Sequence, residues 1–305
     1  MESLSSLAKS LHAQGKLAQA EEMHGKILEA RRRVLGETHL NTLASMNDLI
    51  SVYRDESKHE QAVALVTKAF EIQRRTLGED HPETIHTLLN LAAVRRNQGK
   101  YPEAEALFQR VLEIQRRTLG EEHPETVATL DLLALQYRYE GKFAQSEAVY
   151  AQSLEIRRRV LGIEHPDTLE AMTMLAVLRR VNGKYADAEG LLTQALEIER
   201  RTLGEENPLT LVTMGELPGV YWVEGKYAEA EPLYIRVVAL RSRVMGEENG
   251  DTQSSMNNLA TLYLSEGKYA EAEPLLTRVL EIRRRTRGAD HPVTLLSMNN
   301  VAIPT

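Results

Sequence analysis

The chain has 305 residues and carries 37 Lys and Arg against 44 Asp and Glu, a net charge of -7 at neutral pH. That balance disfavours a general nucleic-acid-binding surface, which needs a broad basic face, although local basic patches remain compatible with it. The absence of cysteine excludes disulfides and thiolate metal sites and favours a reducing compartment. No stretch approaches 18 uninterrupted apolar residues, so we expect a cytoplasmic protein that neither spans nor associates with a membrane.

Two series of glycines recur through the whole chain with a period of 42 residues. Such a period is typical of stacked repeats whose hydrophobic core runs lengthwise, so we predict one domain over residues 1–305. Residues 291–305 would be the partial first helix of a further repeat. The first series is Gly15, Gly99, Gly141, Gly183, Gly225 and Gly267, and Ser57 occupies the one position where a glycine is missing. The second series is Gly36, Gly78, Gly120, Gly162, Gly204, Gly246 and Gly288.

The first helix of each repeat is predicted from a threonine that all copies share. His-Pro-acid precedes it in most copies, and a capping residue, a proline and an acid form a coherent helix start. Apolar residues four, seven, eight and eleven positions later form one stripe, which predicts a helix of about fourteen residues. A Gly-Lys turn then ends the helix, with glycine as a left-handed C-cap. The shared threonines are Thr42, Thr84, Thr126, Thr168, Thr210, Thr252 and Thr294.

The second helix follows the Gly-Lys turn, as in Tyr101 to Arg117, and ends in a basic run such as Arg283 to Arg285. One interpretation of these runs is a basic stripe for an anionic partner. The other is a solvated face, with Glu-to-Arg pairs four residues apart and cations at the negative end of the helix.

These features resemble the tetratricopeptide repeat over essentially the whole chain. The motifs GKYxEAE, LEIRRRxLG, HPxT and MNNLA are similar to the 42-residue variant of kinesin light chains and of bacterial and fungal multidomain signalling proteins. The resemblance implies an all-α fold, a right-handed superhelical solenoid of about seven stacked antiparallel helix pairs. It also implies a concave groove formed by the first helices, which binds a protein or peptide ligand.

The sequence contains no recognisable catalytic motif, and we expect neither an enzyme nor a cofactor. The Gly-Lys pairs lack the residues of a phosphate loop, and there is no HExxH or GxSxG. Histidine recurs once per repeat, but stacked helices lie about 8–10 Å apart, whereas zinc ligands must lie within about 2 Å of the ion. We therefore expect these histidines to cap helices and predict no metal site.

On the first helices, the residues two, five, nine and twelve positions after the threonine share a face distinct from the core stripe. This face varies between copies far more than the second helices do, as expected of a diversified binding groove or of drift on an unused surface. With neighbouring residues of the MNNLA motif, it provides the candidate groove residues. They are Asn47, Arg54, Asn90, Arg96, Asp131, Arg138, Thr173, Arg180, Trp222 and Asn257.

Four of the candidates form an arginine ladder, one per repeat, which suits the carboxylates of an extended acidic peptide. In kinesin light chains, which this chain resembles, an arginine in a Tyr-Arg-Asp stretch contacts acidic, tryptophan-containing peptides, and Tyr53-Arg54-Asp55 matches that stretch. Alternatively, arginine is simply favourable near a helix C-terminus. The asparagines resemble those that hydrogen-bond a ligand backbone in tetratricopeptide grooves.

The fifth first helix differs most, because it contains Pro218 and Gly219. Proline inside a helix removes a backbone hydrogen bond, so we expect a kink there, either a hinge or a tolerated defect. In the last segment, Leu295, Met298, Val301 and Ala302 would pack on the preceding pair, and Pro304 would end the helix.

Two functions follow from these patterns. The first is a non-catalytic interaction scaffold whose groove binds an acidic segment of a partner protein. The second is a sensor or scaffold arm of a larger signalling protein, which makes intramolecular contacts or associates weakly with itself through exposed apolar ends.

Overall fold

The computed structural model describes residues 2–301, and the side chains of residues 3–300; Ala302 and Pro304 lie outside that range, as does the side chain of Val301. Fifteen α-helices and no strand are present in this part of the chain. None of these helices is long and apolar enough to cross a membrane. In chain order they are α1 (Glu2–Ala13), α2 (Leu17–Leu35), α3 (Leu40–Asp55), α4 (His59–Thr76), α5 (Pro82–Asn97), α6 (Tyr101–Thr118), α7 (Pro124–Tyr139), α8 (Phe143–Val160), α9 (Pro166–Val181), α10 (Tyr185–Thr202), α11 (Pro208–Val223), α12 (Tyr227–Met245), α13 (Gly250–Ser265), α14 (Tyr269–Arg287) and α15 (Pro292–Val301).

Contacts divide the chain into two compact units, residues 1–153 and residues 154–305. Within each unit, successive helices pack as pairs in chain order, which confirms the predicted all-α arrangement of repeated helix pairs. First helices of neighbouring repeats also meet, α3 with α5 in the first unit and α9 with α11 in the second. The first helices of a unit therefore share one face.

The predicted helix starts are confirmed in atomic detail. The Nδ1 atom of His81 accepts a hydrogen bond from the backbone N–H of Glu83 at 3.2 Å, and His123 caps α7 in the same way. Asn207 does so through Oδ1, which accepts from the N–H of Leu209 at 2.9 Å. The recurring histidines are thus satisfied as helix caps.

The Gly-Lys turn holds neighbouring repeats together as well as ending the first helix. Its glycines lie in the left-handed region, and Ser57 adopts the same conformation with φ 58°. Lys142 donates to Glu105 of the preceding second helix at 2.9 Å and lies 5.6 Å from the centre of the Tyr137 ring. Lys58, Lys226 and Lys268 make the same contact with the repeat before them, whereas Lys100 pairs with Glu103 of its own repeat.

The basic runs at the ends of the second helices form ion pairs with acidic loop residues of the preceding repeat. Arg117 Nη2 lies 2.5 Å from Asp80 Oδ1, and Arg285 Nη2 lies 2.7 Å from Glu248 Oε1. The Arg201–Glu164 and Arg243–Glu206 pairs repeat this geometry. These exposed pairs favour the interpretation as a solvated face and contribute little to stability individually.

The hydrophobic core consists of layers between consecutive helices. In the first unit, Leu43, Met46 and Ile50 of α3 pack against Val66 of α4 and Val94 of α5. The helices follow the predicted stripe, although the complete first helices of α3 to α13 have 16 residues rather than about fourteen. The extra residues extend the helix to the turn that reverses the chain.

The shared threonines anchor the loop that joins one repeat to the next. All seven are fully buried. Thr84 Oγ1 donates to the carbonyl of Gly78 at 2.8 Å, and Thr126 and Thr210 bond to Gly120 and Gly204 at the same distance. In these three repeats a short hydroxyl side chain satisfies a carbonyl at the Leu-Gly turn, whereas the hydroxyls of Thr42, Thr168, Thr252 and Thr294 are buried without a hydrogen-bond partner.

Pro218 does not interrupt α11, which runs from Pro208 to Val223 with the length of its neighbours. The proline ring is buried. A hinge function at this position stays a prediction.

One position near the end of each second helix is polar, and in several repeats it contacts a hydroxyl side chain near the start of the next helix. Arg31 Nη1 donates to Ser45 Oγ at 2.6 Å, and Arg283 meets Ser297 in the same way. In α10 this position is Glu199, whose Oε1 accepts from Thr213 Oγ1 at 2.9 Å.

Glu199 is completely buried, and its second carboxylate oxygen has no hydrogen-bond partner. Burial raises the pKa of Glu199 to about 7, although the hydrogen bond from Thr213 opposes this shift. The folded protein therefore holds a proton on this carboxyl at pH values where an unfolded chain has lost it.

Replacing a histidine cap tests the capping geometry. His123→Ala is expected to lower the free energy of unfolding by about 1 kcal/mol, because the N–H of Glu125 loses its acceptor. His123→Asn places the residue type of Asn207 at the same position and should restore most of the loss. Urea unfolding followed by circular dichroism measures both; equal stability of the alanine and asparagine variants would contradict the capping function.

Glu199→Gln tests the buried carboxyl. The pKa of Glu199 is higher in the folded protein than in the unfolded chain. The stabilisation that its proton provides is therefore complete below about pH 4.5 and is lost as the pH rises through about 7. The variant should therefore have the same free energy of unfolding as the native chain near pH 4.5. At pH 8 its free energy of unfolding should be higher by an amount on the order of 3 kcal/mol.

Urea unfolding at both pH values provides the measurement, and Glu197→Gln on the exposed face of the same helix is the matched control. A stability difference that does not change with pH would show that the carboxyl is already ionised in the folded protein.

Candidate functional site

The predicted groove residues lie on the first helices of both units, and three of the small polar ones are buried. Asn47 is 4% exposed, and its Oδ1 accepts from Thr87 Oγ1 at 3.0 Å. Asn90 is 6% exposed, and Thr173 is fully buried with its hydroxyl 2.8 Å from that of Thr213. Asn47 and Thr173 thus join neighbouring repeats, and the predicted contact of all three side chains with a ligand would need access to buried atoms.

Asn47 and Asn90 nevertheless keep one unsatisfied donor each. The Nδ2 atoms of both side chains are buried without a hydrogen-bond partner. Burying an amide N–H group without an acceptor costs free energy. An acceptor that reached these atoms would therefore form a favourable hydrogen bond. Asn257 in the second unit is half-buried.

Asp131 and Trp222 are held by hydrogen bonds of their own. Asp131 Oδ1 accepts from Ser153 Oγ at 2.6 Å. Trp222 Nε1 donates to Ser265 Oγ at 3.1 Å, and its ring is half-buried. Both side chains therefore have defined orientations before any ligand binds.

The arginine ladder contains members with very different surroundings. Arg54 is half-buried, with Nε 3.7 Å from Asp55 Oδ1, and Asp55 also pairs with His12 at 2.7 Å. Arg180 Nη2 lies 3.3 Å from Glu216 Oε2. These two arginines at the ends of the ladder thus already have carboxylate neighbours.

Arg96 has no ion pair with a carboxylate among residues 3–300 and contacts an aromatic ring instead. Its guanidinium carbon lies 5.2 Å from the centre of the Tyr139 ring. Its Nε and Nη1 atoms are buried and have no hydrogen-bond partner. Burial lowers the pKa of Arg96, nearby Tyr139 opposes the shift, and the positive charge of Arg54 adds to it.

Arg138 is exposed, and no ion pair or hydrogen bond of its side chain is found among residues 3–300. Arg96 and Arg138 are consequently the two ladder members without an internal anion. An anion placed beside Arg96 would supply the missing acceptor and relieve the repulsion from Arg54.

The sequence interpretation missed two residues that shape this face. Tyr139 stacks on Arg96 from the next first helix, and Glu216 neutralises Arg180. Tyr139 directly follows a ladder arginine, at the position that Asp55 occupies two repeats earlier, so it could have been noticed as an aromatic among polar residues. Glu216 could have been found only from the contact between neighbouring repeats.

Comparison with known proteins agrees with the repeat geometry. The tetratricopeptide repeat family matches in seven overlapping segments, at residues 1–49, 45–96, 86–143, 128–198, 175–242, 217–285 and 251–303. The search of curated proteins found no match.

Solved structures provide similar folds. A kinesin-light-chain-like protein of nearly identical TPR-like repeats from Podosopora anserina is 30% identical, with 67% of this chain and 96% of that chain covered and a TM-score of 0.61. BtubC (BKLC) from P. vanneervenii is 24% identical over 77% of this chain and 94% of that chain, with a TM-score of 0.65. A tetratricopeptide repeat protein from Parabacteroides merdae shares the fold at 18% identity over 98% of both chains, with a TM-score of 0.62.

The family match covers the repeats from end to end, and the similarity to the Podosopora anserina protein extends it to the repeat type. The chain belongs to the tetratricopeptide repeat family and is of the kinesin-light-chain-like type.

Proposed function

We propose that the protein is a non-catalytic interaction scaffold, and that the face around Arg96 and Arg138 binds an extended acidic segment of a partner protein. The family to which the chain belongs consists generally of protein-interaction scaffolds. The observation that carries the proposal is Arg96, a guanidinium with buried N–H groups that lack an acceptor.

The chemistry of Arg96 favours a carboxylate ligand. A guanidinium donates through a planar set of N–H groups that fits a carboxylate in a fork, and a desolvated one gains more from such a bond than an exposed one. Stacking on Tyr139 fixes the plane of the group, so little side-chain entropy is lost on binding.

The surroundings of the ladder define where the acidic segment binds. Arg138 adds a second cation on the next first helix of the same unit, and it is solvent-accessible. Arg54 contributes positive potential near Arg96, as its effect on the pKa of Arg96 indicates. Arg180 is a weaker anchor, because a ligand there must compete with Glu216.

Solved relatives support peptide binding as a use of this fold. NprR, whose structure was determined in complex with its cognate peptide NprX, shares the fold with a TM-score of 0.55 at 12% identity. Binding of a peptide by this chain is our proposal, and the acidic character of that peptide follows from Arg96 and Arg138.

A second candidate function is self-association through the outer face of α1 and α2. Leu4 and Leu7 are about half exposed, and an open cavity of about 570 Å³ beside them is lined by Leu11, Met23 and Ile27. Exposed apolar patches of this kind often mark contacts with another protein surface.

Charge reversal on the ladder tests the first function. Fluorescent acidic peptides with a central Trp or Leu should bind the native chain, and raising the salt concentration should weaken binding. The double variant Arg96→Glu/Arg138→Glu should lose at least about tenfold in affinity, because two attractive contacts become repulsive. Fluorescence anisotropy provides the measurement.

The matched control is Arg116→Glu/Arg117→Glu, which changes the net charge equally on α6 of the same unit. Circular dichroism verifies that both double variants fold. Equal affinity of the ladder variant and the native chain would refute the proposed site, whereas equal losses in both variants would indicate non-specific attraction.

Sedimentation velocity tests the second function. If the outer face of α1 and α2 mediates self-association, the native chain should sediment faster with increasing concentration, and Leu4→Glu/Leu7→Glu should abolish that dependence. A monomer at every concentration would exclude this candidate.

A further inference from the structure

A cavity of about 200 Å³ opens on the first-helix face of the second unit, beside Trp222. It exists because α11 carries Gly215 and Gly219 where the corresponding positions of α9 carry Thr173 and Val177. The remaining walls come from neighbouring helices of the same unit and are polar on most sides. The wall residues besides the two glycines are Arg180, Glu216, Trp222, Tyr234, Asn258 and Thr261.

The Tyr234 hydroxyl points into this cavity. A β-carbon built on Gly219 would lie 3.6 Å from the hydroxyl oxygen. The space left by the missing side chain of Gly219 is therefore next to the Tyr234 hydroxyl. Tyr234 is only 5% exposed, and its hydroxyl has no hydrogen-bond partner among the side chains described. Burial raises the pKa of Tyr234 to about 12, so the hydroxyl is protonated and able to donate at neutral pH.

Charged groups of both signs surround the cavity, and Asp251 and Glu216 lie close enough to Arg241 to offset its charge. Arg180 and Glu216 form an ion pair on one wall, and the guanidinium of Arg241 lies behind Gly215, where a β-carbon would come within 3.0 Å of Nη2. Arg241 is itself bonded to the carbonyl of Leu211 at 2.9 Å. A ligand group in this cavity therefore meets a cation and an anion at once.

These surroundings select among side-chain chemistries. A carboxylate would face Glu216, and an ammonium group would face Arg180 and Arg241. An aliphatic side chain would bury the Tyr234 hydroxyl without a partner. A carboxamide carries an acceptor for the Tyr234 hydroxyl and donors for the Glu216 carboxylate, and it is neutral.

We propose that this cavity binds the carboxamide side chain of a glutamine or asparagine in a bound protein segment, with the aliphatic part of that side chain against Trp222. This proposal rests on the proposed peptide-binding function and adds a specificity pocket to it. The two glycines let the ligand approach the backbone of α11 closely, which no side chain at these positions would allow.

Trp222 is the only tryptophan of the chain, so its fluorescence reports on the cavity directly. The probes are four amino acids blocked as N-acetyl amides, namely glutamine, glutamate, lysine and leucine. Blocked glutamine should change the Trp222 emission saturably with a dissociation constant of about millimolar, as expected for a ligand of this size. The other three should bind at least about tenfold more weakly.

Two variants test the geometry. Gly219→Val introduces the residue found at the same position of α9 and should abolish the response by filling the cavity. Tyr234→Phe removes only the hydroxyl, and should weaken blocked glutamine by about three- to tenfold without weakening blocked leucine, which no longer buries an unpaired hydroxyl. Gly190→Val is the matched control, since its site on α10 is open to solvent.

The outcomes separate this proposal from the peptide-binding function. Blocked leucine binding as tightly as blocked glutamine, no response to glutamine, or an unchanged response in Gly219→Val would each overturn the carboxamide pocket. Acidic peptides whose binding depends on Arg96 and Arg138 would still support the groove in those cases. A glutamine response without any such peptide binding would refute the proposed function and leave the pocket intact.

Discussion

Each repeat depends on a tight reversal between its two helices, at which one residue must adopt a left-handed backbone conformation. Glycine accepts that conformation readily, and Ser57 shows that the geometry is kept even where a side chain is present. The lysine that follows reaches back to the previous repeat, as Lys142 does to Glu105. The reversal therefore sets both the pairing of helices within a repeat and the contact with the preceding one. A fixed spacing of 42 residues is the consequence, since an insertion at this point would break both contacts.

The proposed function depends on positions where a repeat departs from this common geometry. Neighbouring first helices lie close enough that some polar side chains on their shared face satisfy one another, as Thr173 and Thr213 do. Arg96 departs from this pattern because Tyr139 supports it without providing an acceptor. Gly215 and Gly219 depart from it in the opposite way: they carry no side chain, which leaves open space beside the Tyr234 hydroxyl, and this hydroxyl has no side-chain partner among residues 3–300. At both Arg96 and Tyr234, a hydrogen-bonding group without a partner among the described residues indicates a ligand.

Buried polar groups also limit what the array can tolerate. Arg31, Glu199 and Arg283 occupy equivalent positions, yet the arginines donate to serine while the glutamate accepts from threonine. The pair of side chains across this interface thus differs between repeats, and burial of Glu199 is accompanied by a raised pKa.

The periodic residues by themselves determined the helix pairs, their starts at His-Pro-acid, their ends at Gly-Lys and the all-α class, because these depend on local backbone preferences and on one apolar stripe per helix. They also predicted one arginine at the same point of four successive repeats, since positions 42 residues apart are equivalent. Only the tertiary structure decided which ladder members have a carboxylate neighbour, and that Asn47, Asn90 and Thr173 are buried. It also brought Tyr234 of a second helix to the face formed by first helices. The physical reason is that exposure and pairing depend on distances between side chains of neighbouring repeats, which no periodicity within one repeat specifies.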